Sequence, residues 1–288
     1  MTALIAGLFA LSILGDVRSA ISSGDLAAAE RVVEQNKPKG AVTPEWLEAQ
    51  SWLGRGALGA KKLDEAERHA ARTKQLALEL LKTRKLDDER RLPIALGAAI
   101  EVRGQVLAAR GDRASALEYL QDELARYRNT SIVTRIQKNI NLIGLEGKPA
   151  PALEGMKLDR KPTLLFFWAH WCGDCKSMGA VLEQVRKAYP GVAIAGPTQL
   201  YGYTSGGQDS APEQERPYIR KIQAEFYPVL KGAASPISQK NFQTYGASTT
   251  PTLVLVDAKG TVRMYHPGRL TFEELRPKID AALADKRQ

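Results

Sequence analysis

Residues 163–175 read Thr-Leu-Leu-Phe-Phe-Trp-Ala-His-Trp-Cys-Gly-Asp-Cys, an apolar run that closes on a Cys-x-x-Cys pair. Thr163 to Trp168 is continuously apolar and rich in aromatics, the pattern of a strand buried on both faces. After Cys175 the pattern changes, and Met178, Val181, Leu182, Val185, Ala188 and Tyr189 recur at helical spacing. The cysteines therefore sit where a strand turns into a helix. They are the only two in the chain, so all of its thiol chemistry is concentrated in this turn.

The first turn of a helix offers unpaired backbone N–H groups and a positive dipole end, which favour a thiolate over a thiol. Cys172 is expected to be more acidic than a free cysteine. Cys175, three residues on, is near enough to meet the ~5.5–6 Å Cα spacing of a disulfide, so one sulfur can attack and the other resolve. A zinc site needs four N or S ligands, and the remaining candidates, His69, His170 and His266, are scattered along the chain. A permanent disulfide across two residues would constrain little of the unfolded chain. The pair is read as redox-active, with no metal.

The segment FFWAHWCGDC, Phe166 to Cys175, resembles the active-site motif of thioredoxin-fold proteins, an apolar strand ending in FWA-x-WC-x-x-C. A second stretch, STTPTLVLVD from Ser248 to Asp257, resembles that family's cis-proline loop and the central strand after it. A cis bond before proline costs only ~0.5–1 kcal/mol, which makes Thr250-Pro251 the cis candidate. Gly147-Lys-Pro-Ala-Pro151 is similar to the Pro-rich lead-in of the TlpA-type, redoxin-like branch, the extracytoplasmic disulfide reductases. The resemblance implies an α/β thioredoxin fold over residues 147–288, with Cys172 and Cys175 catalytic. It also implies that Thr250 and Pro251 hold a substrate backbone, and that Trp171, Gly173 and Asp174 belong to the substrate-facing surface.

The rest of this half fits that order of elements. Asp257 to Gly260 is a turn signal, Thr261 to His266 a strand, and Thr271 to Ala284 an amphipathic helix with Leu275, Ile279, Ala282 and Leu283 on one side. Residues 196–246 form an insertion relative to plain thioredoxin. It opens with a loop, Tyr201 to Gly207, and continues into a helix near Pro217 to Leu230. The tyrosines are read as packing the insertion against its host rather than as a substrate-facing rim.

The buried aspartate that thioredoxin proper carries six residues before its nucleophile is Phe166 here. Asp174, Glu225 or water are the substitutes for that base. A carboxylate ~6 Å from the thiolate disfavours it by ~0.7–2.8 kcal/mol, so Asp174 points to a reducing rather than a strongly oxidising couple. His170 is read as solvent-facing at the strand end.

From Asp16 to Leu145 strand signals are few, and alanine, leucine, arginine and glutamate fill amphipathic stretches, the pattern of an all-α domain over residues 16–146. A turn-and-alanine motif occurs three times: Gly24-Asp25-Leu26 with Ala29, Lys62-Leu63-Asp64 with Ala66, and Gly111-Asp112-Arg113 with Ala116. With Leu53-Gly54 and Ala57, and Gly104 and Leu107, these stretches resemble tetratricopeptide-type helical hairpins. The spacing is irregular against a period of ~34, so the repeat is degenerate. Such hairpins can dock a partner or serve as scaffold.

At 288 residues the chain is long enough for two cores. The net charge of +9 is spread over both halves, which argues against nucleic-acid binding. Ala3 to Leu14 is apolar apart from Ser12, too short to span a bilayer and about the length of a signal-peptide core, but no basic residue stands between Met1 and this run. Residues 1–15 are thus a signal peptide, the product of a misassigned start or a first helix; the family resemblance favours export.

The reading is a disulfide reductase acting on protein substrates, with no cofactor and with an upstream thiol electron donor. The rival is an interaction module whose helical domain binds a partner while the thioredoxin fold turns over little.

Overall fold

The computed structural model describes residues 12–284 and divides the chain into two compact units, Met1–Ile132 and Val133–Gln288. In the first, α1 (Ile13–Ser22), α2 (Leu26–Gln35), α3 (Pro44–Gly59), α4 (Leu63–Leu80), α5 (Arg91–Ala109) and α6 (Arg113–Arg126) pair as three hairpins, α1 with α2, α3 with α4, and α5 with α6. Each occurrence of the turn-and-alanine motif is the bend of one hairpin. Gly24, Lys61 and Gly111 have φ of 80°, 60° and 89°, the left-handed turn that ends one helix before the next begins. Asp25 and Asp112 then cap α2 and α6 by accepting from the N–H groups of Ala28 and Ser115. Ala29, Ala66 and Ala116 are fully buried, as the crossing of closely packed helices requires. α5 is apolar nearly all round because α3, α4 and α6 all pack on it; Leu92, Leu96 and Ile100 have no exposed surface.

The N-terminal expectation falls partly outside the described residues, which begin at Ser12. Ile13 to Gly15 belong to α1, whose Val17 is fully buried, so cleavage after Gly15 or Ser19 would cut within that helix. Residues 1–11 are not described.

The second unit contains α7 (Val133–Gly144), β1 (Thr163–Phe167), α8 (Gly173–Ala188), β2 (Ala193–Ala195), α9 (Pro212–Phe226), α10 (Gln239–Tyr245), β3 (Thr252–Val256), β4 (Val262–Pro267) and α11 (Phe272–Ala284). The sheet order is β2-β1-β3-β4, with β2 parallel to β1 and the other neighbours antiparallel; Leu165 lies opposite Val254. β1 is central and buried on both faces, which is why its sequence is unbroken in apolar character. Leu164 and Phe166 join the core with α8 and α11, whereas Leu165 and Phe167 face a second cluster with Phe242 and Tyr245. This is the thioredoxin fold expected from the sequence.

The boundary differs from the expected one at residues 146/147. Helix α7 packs on α10 and β4; its Asn141 donates to the carbonyl of Thr244, and Gly246 lies against the Lys138 backbone. An amphipathic helix announces an apolar face but not which neighbour covers it. Further segments pair beside the start of β4 and just after β2. Residues 147–150 bond to β4 through Gly147 N–H to Val262 O and Val262 N–H to Lys148 O, and the chain following β2 bonds to residues 234–238 of the insertion.

Candidate active site

Cys172 is the N-cap of α8, with φ −79° and ψ 112°, and its N–H donates to Ala169 O across a tight turn. Cys175, in the first helical turn, is fully buried, while Cys172 keeps 4 % of its surface. The two are joined as a disulfide with Cα atoms 5.2 Å apart. The Cys175 N–H donates to Cys172 Sγ at 3.0 Å, one of the orphan donors of the helix start aimed at the sulfur. On reduction this donor and the helix dipole favour a thiolate on Cys172.

The bond Thr250-Pro251 is cis, and the Thr250 carbonyl oxygen lies 3.3 Å from Cys172 Sγ. The loop is fixed by Thr252 Oγ1 donating to Thr249 O and by Gly268 N–H donating to Pro251 O. Two segments 78 residues apart thus meet at one sulfur. Trp171 is 51 % exposed beside the pair, and its ring stands edge-on to Tyr201 at 5.6 Å. Gly173 is exposed with open space around it. Asp174 is exposed and lies 3.6 Å from the Arg269 guanidinium, a cation that offsets the carboxylate's repulsion of a thiolate.

Residues 150–283 match the thioredoxin-like domain family. This segment, just under half of the chain, is similar to thioredoxin-like domains. The thioredoxin-like protein YneN of Bacillus subtilis is 28% identical over 122 residues, 42% of this chain and 64% of that protein, so the chain spans just under two thirds of that relative. The thiol:disulfide interchange protein DsbE of Xylella fastidiosa is 25% identical over 153 residues, 49% of this chain and 71% of that protein. Among solved structures, a putative thiol:disulfide interchange protein DsbE from Chlorobium tepidum is 26% identical and covers 48% of this chain and 97% of that one, with a TM-score of 0.37.

In this thioredoxin-like domain the position of the missing aspartate is thoroughly apolar. Phe166 packs edge-to-face on Tyr227 at 5.2 Å, Trp168 does so at 4.9 Å, and all three share a core cluster with both cysteines. Glu225 is exposed on α9, and Asp174 faces Arg269.

One expectation is overturned. His170 is not solvent-facing: it is 1 % exposed and lies edge-on to the rings of Tyr201, Tyr203 and Tyr218 at 5.3–5.4 Å. Its Nε2 is 3.1 Å from a buried carboxylate, Glu215 of α9. The tyrosines pack the insertion onto its host, as the sequence suggested, but they do so around this histidine. Glu215 was missed entirely. Its signal is a charged residue in line with the apolar stripe of α9, four before Ile219 and seven before Ile222.

Burial pushes the His170 imidazole below its ordinary value, and the hydrogen bond to Glu215 restores only part of the shift. The unfolded chain takes up this proton near about pH 6.5 and the folded domain only at lower pH, so stability falls as pH drops below about 6.5. We expect His170→Gln to flatten the difference in urea midpoint between pH 7.5 and 5.5 in the wild type. An unchanged slope would assign the acid sensitivity to other groups.

Proposed function

We propose that the protein is a disulfide reductase for protein substrates, working through Cys172 and Cys175. The observation that carries this reading is the convergence on Cys172 Sγ of the Cys175 N–H at 3.0 Å and the Thr250 carbonyl at 3.3 Å, at the capped start of α8. One of these groups stabilises the attacking anion, and the other marks the line along which a client chain is held.

In the reaction, the Cys172 thiolate attacks one sulfur of a client disulfide; a bond forms between Cys172 Sγ and that sulfur, and the other client sulfur leaves as a thiolate. Cys175, having lost its proton, then attacks Cys172 Sγ and expels the second client thiolate. The client gains two electrons and the pair becomes the internal disulfide. A thiol donor of the same chemical class restores the dithiol. Trp171, Gly173 and Asp174 border the sulfur, and Thr250 and Pro251 align the client backbone.

The three hairpins of the first unit resemble tetratricopeptide pairs, and we assign them the docking of a partner. The TlpA-type lead-in, Gly147-Lys-Pro-Ala-Pro151, supports an extracytoplasmic location. The test is the reduction potential of the pair, measured by tryptophan fluorescence in dithiothreitol and glutathione buffers. A value near thioredoxin's, about −270 mV, is expected; one near about −120 mV would reverse the electron flow and make the protein an oxidant.

A further inference from the structure

The Glu215 carboxylate is 1 % exposed and accepts three hydrogen bonds: from Tyr201 N–H at 2.6 Å, from Gly202 N–H at 2.8 Å, and from His170 Nε2 at 3.1 Å. Three donors on one buried carboxylate leave it fully engaged. Because the carboxylate only accepts, His170 carries its proton on Nε2 and donates. The three donors come from two places, the insertion loop and the active-site turn. His170 is the second residue of the turn Ala169–Cys172, closed by Cys172 N–H on Ala169 O at 3.2 Å. That turn sets where Cys172 Sγ stands relative to the Cys175 N–H. Tyr201, held by Glu215 through its backbone, supplies the ring against which Trp171 stands. A histidine serving only as core filler would not need a buried acid, whose desolvation is costly unless it is fully bonded.

We propose that Glu215 is a positioning residue for exchange at Cys172: through His170 it holds the active-site turn so that the sulfur meets the first N–H groups of α8. The inference builds on the proposed thiol chemistry, but its test does not require turnover. The probe is the pH dependence of iodoacetamide alkylation of Cys172 in the reduced protein, in a Cys175→Ser background so that one thiol reacts. Wild-type Glu215 is compared with Glu215→Gln, with His170→Gln, and with the exposed control Glu213→Gln.

Two mechanisms predict opposite signs. If Glu215 acted on the sulfur only through its charge, Glu215→Gln would remove a repulsive anion and lower the thiol pKa. If it positions the turn, loosening it withdraws the sulfur from its donors and raises the pKa. Asp174, Arg269 and Lys176 are unchanged in every variant, so their fields cancel in the comparison. We expect a rise of about half a unit, a roughly threefold loss of thiolate below both values, in Glu215→Gln and in His170→Gln, with Glu213→Gln unchanged. His170→Gln keeps the acid and its two backbone donors, so it decides the matter if Glu215→Gln fails to fold. A fall, or no change, in the folded variants would overturn the inference. If Glu215→Gln and His170→Gln raise the Cys172 pKa yet the wild type exchanges no disulfide, the proposed function fails and the positioning role stands.

Discussion

Cys175→Ser is expected to turn the protein into a covalent trap, with client turnover falling by about three orders of magnitude or more. The first step needs only Cys172, which keeps its helix-start environment in the variant, so attack on a client disulfide proceeds. The second step needs a sulfur in the first turn of α8, and none remains. In the wild type that sulfur is held with its Cα 5.2 Å from that of Cys172, so resolution is intramolecular. Effective concentrations for well-oriented neighbours reach about 10⁵ M and above, which outside thiols at millimolar levels do not approach. The mixed disulfide therefore accumulates and is seen as a higher-mass band lost on adding dithiothreitol. Cys172→Ser should form no adduct, since Cys175 has no exposed surface. Adducts through Cys175 in that variant would reverse the assigned roles.

Gly179→Val is expected to destabilise the thioredoxin-like domain by about 3 kcal/mol or more and to remove activity with it. Gly179 lies in α8, one turn beyond Cys175, where a Cβ would overlap the Phe226 carbonyl oxygen at the end of α9. Replacing helical glycine by a residue with better propensity gains about 0.5–1 kcal/mol at most, and valine gains less than alanine. The obstacle is backbone, which cannot rotate aside, so overpacking outweighs propensity. Chemical denaturation should show an earlier transition for this domain. A midpoint within error of the wild type would mean that α9 yields readily, and the insertion would then be no fixed part of the site.

Much of the fold and the heart of the site were legible because their signals are local. Thr163–Phe167 is central in the sheet, so burial on both faces left its mark on every residue. Cys172, Cys175 and Pro251 stand in short motifs that the fold brings side by side. His170 and Glu215 were not legible in this way. They are 45 residues apart, and a histidine at a strand end is exposed or buried according to what an insertion of unknown path lays over it. The short helix Gln239–Tyr245 went unseen because its burial is decided by α7, from the far side of the Pro-rich linker. The same contact moved the unit boundary.

The segments that pair beside the two ends of the sheet bear on aggregation. Extended chains with unsatisfied strand-pairing groups add readily to any open sheet edge, and a protein that handles them is exposed to co-aggregation. Here the linker at residues 147–150 bonds to Val262 at the start of β4 and to Gly260 before it, and residues 234–238 of the insertion flank the path that follows β2. Both segments use up strand-pairing groups that would otherwise be open there. Strand addition by an extended chain is hindered at these two places, while the Thr250 carbonyl lies beside Cys172 Sγ, away from either margin.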